Sequence, residues 1–346
     1  MFKPNLIYII DVMQKVLAVI LIILVFGLAL YFYDRFDKNK SLMTPISKTN
    51  FVEEKPLDKY TFKSLQKRKV VGSEITIDKI VKDENDYISR LFFFRTGGKK
   101  ESGLINIPKK PGTYPVIIMI RGYVDRKIYE VGVGTQHAGE VFAQNGFVTL
   151  APDFLGYGES DKAVKDPMED RFLTYITILN LIASVKNLHI NDITIDDAKI
   201  GIWGHSNGGQ IALSVLEISG KKYPTVLWAP VSKSFPYSIL YYTDDIEDHG
   251  KALRKVVSTF ENDYDSEKYS LTNYFKWIKA PIELYQGGKD EAVPQKWSDD
   301  LATTLKDHDV GIEYFTYPVE DHNFSRGSWS TIVQKNIEFY NLHLRK

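Results

Sequence analysis

The pattern Gly-His-Ser-Asn-Gly at residues 204–208 constrains the fold of this sequence more than any other stretch. The apolar residues 200–203 before it are typical of a buried strand, and residues 210–216 after it have helical spacing. Small glycines around a serine between a strand and a helix favour a sharp turn that exposes the serine hydroxyl. The sequence therefore predicts Ser206 as a nucleophile, and the Asn207 amide, at the start of the helix, as a donor to an oxyanion.

A serine nucleophile needs a base, and His322 is the best candidate among the seven histidines of the chain. In this strand–turn–helix context the expected chain order is serine, acid, histidine. Of the late histidines, His308 precedes the last predicted strand and His343 lies near the end of the last helix. His322 follows that strand, at residues 312–316, directly in a polar loop.

Asp290 is the predicted acid, because it stands in a glycine-rich turn after the strand at residues 281–286. It would hold the imidazole in one tautomer and stabilise the imidazolium. Glu291, Glu320 and Asp321 are competing carboxylates close by in the chain.

A second oxyanion donor is expected in the loop after the apolar strand at residues 116–120. The Tyr123 amide is the predicted donor in this loop. The charged neighbours Arg121, Asp125 and Arg126 are interpreted as a structural ion-pair group.

Composition excludes several classes of function. The 346 residues include 44 basic and 44 acidic side chains, so the zero net charge gives no general attraction to nucleic acid. The absence of cysteine excludes disulfides, thiolate catalysis and cysteine zinc sites. The proposed chemistry needs no metal or organic cofactor.

Strands and helices alternate through most of the chain, which predicts an α/β fold with a mainly parallel sheet. Strand-like segments at residues 74–81, 87–95 and 103–107 precede this alternation and predict an antiparallel opening. The aromatic-rich residues 231–279 interrupt it and predict a helical cap insertion over the site.

Residues 1–40 are interpreted as a membrane anchor, because residues 16–33 form an uncharged run of about 27 Å as a helix. Residues 41–70 are polar and predict a linker, which leaves residues 71–346 as the main domain. Lysine and arginine counts slightly favour a cytoplasmic domain, whereas short N-terminal anchors commonly leave the long domain outside. We expect an extracytoplasmic domain.

Three segments carry a resemblance to a known group: residues 201–209, residues 151–160 with the pattern D-x-x-G-x-G-x-S, and residues 280–294. They resemble the α/β-hydrolases and, more narrowly, the prolyl oligopeptidase family and its esterase relatives. The resemblance covers about residues 70–346 and implies Ser206, Asp290 and His322 as the triad. The loop often written His-Gly-Gly is Arg-Gly-Tyr at residues 121–123, and the chain has no room for a β-propeller.

These observations predict a membrane-anchored serine hydrolase that cleaves an ester or amide through an acyl-enzyme. A prolyl-oligopeptidase-like peptidase and a carboxylesterase both fit, with short peptides or small esters as substrates. A non-catalytic binding domain and an acyl transferase are the remaining alternatives.

Overall fold

Nine strands form one sheet in the described part of the chain, in the order β1-β2-β3-β5-β4-β6-β7-β8-β9. The computed structural model describes residues 24–28, 31, 55–245 and 248–345. The strands are β1 Thr76–Asp83, β2 Tyr87–Thr96, β3 Lys99–Pro108, β4 Gly112–Ile120, β5 Val148–Pro152, β6 Ile193–His205, β7 Thr225–Trp228, β8 Ile282–Gly287 and β9 Ile312–Tyr317.

The sheet is antiparallel at one end and parallel through the rest, as the sequence predicts. Strands β1, β2, β3 and β5 pair antiparallel. All pairs from β5 through β4, β6, β7 and β8 to β9 are parallel. Residues 116–120 of β4 are almost completely buried, which explains their continuous apolar run. The carboxyl ends of β4, β6, β8 and β9 therefore meet at one edge, where sites of α/β sheets lie.

Helices cover both faces of the sheet. They are α1 Phe62–Lys67, α2 Gln136–Gln144, α3 Pro167–Ser184, α4 Asn207–Ser219, α5 Tyr237–Leu240, α6 Lys251–Asp263, α7 Gln295–Asp307 and α8 Trp329–Leu344. Helices α1, α3, α4 and α7 contribute to the larger apolar core. Helices α2 and α8 build a second core on the other face, around Trp203 and Tyr340. The result is the three-layer α/β arrangement that the sequence predicts.

The compact unit begins at Pro56, earlier than the predicted domain start at residue 71. Thr61 caps α1 by accepting a hydrogen bond from the Ser64 amide. Phe62 is completely buried and stacks on Tyr274 with ring centroids 4.7 Å apart. The predicted linker of residues 41–70 is therefore corrected over residues 56–70, because this segment buries aromatic surface against the rest of the unit.

The residues between β7 and β8 contain α5, α6 and several short 3₁₀ turns. They include residues 231–279, which the sequence analysis interprets as a cap insertion. Phe260 and Tyr269 pack on Phe172 of α3, with ring centroids 5.9 and 4.9 Å away. Many aromatic side chains of this insertion thus join the larger core, and the insertion is held against α3.

The predicted anchor, its span at residues 16–33 and most of the predicted linker lie largely outside the described residues. Residues 24–28 and 31 are helical and exposed. In the ranges that the structure describes, no helix combines the length and apolar character needed to cross a membrane.

Candidate active site

Ser206 occupies a strained turn between β6 and α4. Its φ and ψ angles are 56° and −122°, a region that non-glycine residues rarely adopt. The Ser206 amide donates to the Trp228 carbonyl at 2.9 Å, and the Ser206 carbonyl accepts from the Val231 amide at 3.0 Å. These two hydrogen bonds hold the turn against the end of β7. Contacts with the sheet therefore stabilise the strained backbone of Ser206.

Glycines around Ser206 allow backbone contacts that a side chain would block. A Cβ on Gly208 would lie 2.0 Å from the Ile120 carbonyl oxygen, and one on Gly204 would lie 2.7 Å from the Gly208 oxygen. A Cβ on Gly122 would lie 3.0 Å from the Ser206 Cβ. The loop after β4 therefore passes directly beside the serine, as the predicted oxyanion site requires.

The sequence analysis predicts the amides of Asn207 and Tyr123 as oxyanion donors, and the two residues line one cavity. Asn207 is the first residue of α4, and the first amides of a helix have no acceptor within the helix. Tyr123 follows Gly122 and lines the same cavity as Asn207. Among the described residues, neither amide donates a hydrogen bond. Both donors are thus available to a developing negative charge.

Asp290 and His322 form a hydrogen bond, with 2.9 Å between His322 Nδ1 and Asp290 Oδ2. Their strands, β8 and β9, are neighbours, so the loops that follow these strands meet. The Asp290 side chain is fully buried. Its Oδ1 accepts from the amides of Ala292 at 2.9 Å and Val293 at 2.7 Å, and its Oδ2 also accepts from Gln286 Nε2.

These contacts decide the charge of Asp290. Burial by itself would raise the pKa of this carboxyl group. The hydrogen bond and charge of His322, together with the amides of Val293 and Ala292, outweigh burial and lower its pKa. Because an ionised carboxylate can only accept, His322 Nδ1 carries the proton and Nε2 is left as the basic nitrogen.

His205 is a member of the site that the sequence analysis did not single out. Its Nε2–H donates to the His322 carbonyl at 2.9 Å, and the two rings lie 4.6 Å apart. Burial, followed by the charge of His322, lowers the pKa of His205 to about 4. The ring is therefore neutral and holds the loop that carries His322. Its place beside Ser206 in the motif was visible, but its partner lies 117 residues away.

The competing carboxylates have other partners. Glu320 accepts from the amides of Arg326 and Ser328, and Asp321 accepts from the amides of Asn323 and Ser325. Both side chains thus shape the loop around His322. Glu291 takes part in none of the hydrogen bonds found among the described residues.

The alternative histidines lie elsewhere. His308 caps the end of α7. His343 lies in the last turn of α8, and its ring is 4.6 Å from that of Phe339.

A cavity of about 390 Å³ adjoins the serine turn. Its lining includes Tyr123, Asn207, Arg121 and Arg171.

The predicted ion-pair group of Arg121, Asp125 and Arg126 does not form as such. Arg126 instead pairs with Asp170 of α3 at 2.8 Å, and Arg121 donates to the carbonyls of Asp153 and Gly122 at 2.9 Å.

The sheet order, the serine turn and the hydrogen-bonded Asp290–His322 pair define an α/β-hydrolase fold of the serine hydrolase class. The sequence model of the prolyl oligopeptidase family matches residues 134–346. Because this match covers more than half of the chain, the protein belongs to the prolyl oligopeptidase family. No protein with a curated description matches it significantly.

Solved structures with the same fold include esterases and peptidases. Acetyl xylan esterase 1 from Thermoanaerobacterium sp. has a TM-score of 0.58 and 17% identity, covering 82% of this chain and 93% of its own. The acylaminoacyl peptidase of Pyrococcus horikoshii has a TM-score of 0.57 and 20% identity, covering 76% of this chain and 42% of its own. Est1E from Butyrivibrio proteoclasticus, solved with ferulic acid, has a TM-score of 0.54 and 19% identity, covering 73% and 99%. At these identities the likeness shows the fold alone.

Proposed function

We propose that this serine hydrolase cleaves ester or amide bonds through an acyl-enzyme on Ser206, with His322 as base and Asp290 as its acid partner. One observation carries the proposal: the sheet that holds Ser206 in a strained strand–helix turn also positions the Asp290–His322 hydrogen bond of 2.9 Å. His205, the residue before Ser206, donates a hydrogen bond to the His322 carbonyl. This bond connects the Ser206 turn to the loop that carries His322.

The proposed reaction uses the triad and two backbone amides. His322 Nε2 takes the proton of the Ser206 hydroxyl as Oγ bonds to the substrate carbonyl carbon. The amides of Asn207 and Tyr123 stabilise the oxyanion of the tetrahedral intermediate. The proton on Nε2 then passes to the leaving oxygen or nitrogen, whose bond to carbon breaks. Water, deprotonated by His322, finally releases the acid product and the free serine.

Peptidase activity is the first candidate, because the chain belongs to the prolyl oligopeptidase family. Esterase activity is the second candidate, and the share of the related structures that the chain covers supports it. The chain aligns with 93% of an acetyl xylan esterase but with only 42% of an acylaminoacyl peptidase. A short peptide amide or a small acyl ester is therefore the proposed substrate.

The test compares the two substrate classes on the same protein. Rates of hydrolysis of a peptidyl p-nitroanilide and a p-nitrophenyl ester are measured for wild type, Ser206→Ala and His322→Ala. The control is Ser219→Ala, at the far end of α4. Both active-site variants are expected to lose at least about 10³-fold in kcat, whereas the control keeps its rate. Wild-type rates in the Ser206→Ala variant would refute the proposed nucleophile.

We also propose that residues 16–33 anchor the chain in a membrane with the hydrolase domain outside the cytoplasm. The support is the uncharged run of 18 residues, which is long enough as a helix to span a bilayer core. Membrane fractionation with and without residues 1–40 tests the anchor. Protease accessibility of the domain in intact cells tests the side, and full protection would contradict it.

A further inference from the structure

Arg171 is a partly buried residue whose guanidinium group has unused hydrogen-bonding capacity in the cavity that adjoins the Ser206 turn. It lies in the first turns of α3 and lines that cavity. Its Nη2–H donates to Gln210 Oε1 at 2.7 Å. Its Nε is buried and has no hydrogen-bond partner. In the part of the chain that the structure describes, no carboxylate forms an ion pair with Arg171.

The other two arginines of this cavity have more partners, although the Nε of Arg121 is also buried without a hydrogen-bond partner among the described residues. Arg126 forms an ion pair with Asp170 at 2.8 Å. Arg121 donates to two carbonyls, and its guanidinium lies 4.1 Å from the centre of the Tyr157 ring. Arg121 also feels the negative charge of Asp153. Arg171 is therefore the arginine of this cavity whose charge and donors are least compensated.

A charge that is withdrawn from water without an ion-pair partner is costly to fold, so its presence in the cavity that adjoins the Ser206 turn points to a ligand. Gln210 connects Arg171 to the helix that follows Ser206. Its amide donates to the Ser206 carbonyl at 3.3 Å, one helical turn of about 5.4 Å along α4. The Gln210 side chain in turn accepts from Arg171. Arg171 also lines the same cavity as Asn207, the residue after the nucleophile, so a group bound by Arg171 lies in the cavity that adjoins Ser206.

We propose that the cavity takes a substrate with a carboxylate group and that Arg171 is the residue that binds it. A carboxylate fits because it accepts two parallel hydrogen bonds from a guanidinium and supplies the missing negative charge. Arg171 thus determines specificity for acidic substrates of the hydrolase. This inference rests on the proposed function, since it assigns the substrate class of the same site.

Two arms of one kinetic experiment separate the possible positions of the carboxylate. In the acyl arm, p-nitrophenyl monoesters of glutarate and adipate are compared with their methyl-capped diesters. In the leaving-group arm, 4-acetoxybenzoate is compared with its methyl ester. Rates in the Ser206→Ala variant are subtracted as background. The measured quantity is the ratio of kcat/KM for the acid to kcat/KM for its neutral partner.

The variants isolate the charge of one residue. Arg171→Met removes the charge at similar length, and Arg171→Lys keeps it. Arg126→Met is the matched control, because Arg126 shares the cavity but is paired with Asp170. We expect Arg171→Met to lower the acid-to-neutral ratio about 10- to 100-fold, the range for a hydrogen bond to a charged group. Arg171→Lys should keep part of the ratio, and Arg126→Met should change it less.

A wild-type preference for the acid in either arm that falls in Arg171→Met supports the inference and identifies the carboxylate position. No wild-type preference in both arms overturns it, and so does an equal loss on acid and neutral substrates in Arg171→Met. If Arg171→Met does not fold, the acid-to-neutral ratios of wild type and Arg171→Lys test the inference. A wild-type preference for the acid that Arg171→Lys keeps in part supports it, and no wild-type preference overturns it. Failure of the proposed function is distinct, because wild type would then hydrolyse neither substrate faster than Ser206→Ala.

Discussion

Replacement of Glu101 by glutamine is expected to change how the stability of the protein depends on pH. Glu101 lies on β3 and is completely buried. The Thr177 hydroxyl donates to its Oε1 at 2.8 Å, whereas its Oε2 has no partner among the described residues. Burial, with a smaller contribution from the charge of Asp153, raises the pKa of Glu101 to about 7.

The size of the effect follows from this pKa. Glu101 keeps its proton in the folded state up to about pH 7, whereas in the unfolded chain it ionises near its ordinary pKa of 4.5. Between these two pH values Glu101 is ionised in the unfolded state but protonated in the folded state. The free energy of unfolding therefore falls as pH rises, by about 1.4 kcal/mol per pH unit and by about 3 kcal/mol in total.

Urea denaturation of wild type and Glu101→Gln at several pH values from 4.5 to 8 measures this effect. Glutamine cannot ionise, so the variant should become more stable relative to wild type by about 3 kcal/mol as pH rises to 7, and the difference should then level off. Terms that do not depend on pH cancel in this comparison. Glu313→Gln, at an exposed position of β9, is the control. A pH-independent difference between wild type and Glu101→Gln would refute the reasoning.

Three further substitutions test the geometry of the site. Asp290→Asn should lower kcat about 10³- to 10⁴-fold in steady-state assays, because an amide cannot stabilise the imidazolium of His322, and unchanged kcat would exclude Asp290. Gly208→Ala should lower the free energy of unfolding by more than about 3 kcal/mol, since its Cβ would lie 2.0 Å from the Ile120 oxygen; normal stability in thermal unfolding would contradict this contact. Ser206→Gly should be about 1–2 kcal/mol more stable than Ser206→Ala in urea, because glycine tolerates a φ of 56°, and equal stability would argue against a strained turn.

The parallel part of the sheet could be predicted from the sequence because its strands are buried on both faces. The apolar run at residues 116–120 falls within β4, and residues 281–286 nearly coincide with β8. Strand β6 shows the limit of this pattern. It begins at Ile193, seven residues before the predicted start, because a polar segment pairs with the beginning of β4. A polar strand segment of this kind has no apolar run from which the sequence could predict it.

Chain order and strand ends suggested Asp290 and His322, and the structure brings them within hydrogen-bonding distance. Other contacts could not be anticipated from local patterns. Phe62 stacks on Tyr274, and His205 donates to the His322 carbonyl, across long separations in the chain. No local pattern around Arg171 shows that this residue of α3 lines the cavity. These contacts depend on how elements pack, which sequence spacing does not encode.

Covalent labelling tests the central claim, an activated serine at residue 206, most directly. The full chain is incubated with a fluorophosphonate probe, and the modified peptide is located by mass spectrometry. Ser206→Ala and His322→Ala are treated in parallel, with Ser219→Ala as control. The account predicts one adduct on Ser206 that is absent in Ser206→Ala, strongly reduced in His322→Ala and kept in the control. Folded wild-type protein that remains unlabelled, or carries the adduct on another serine, would contradict it.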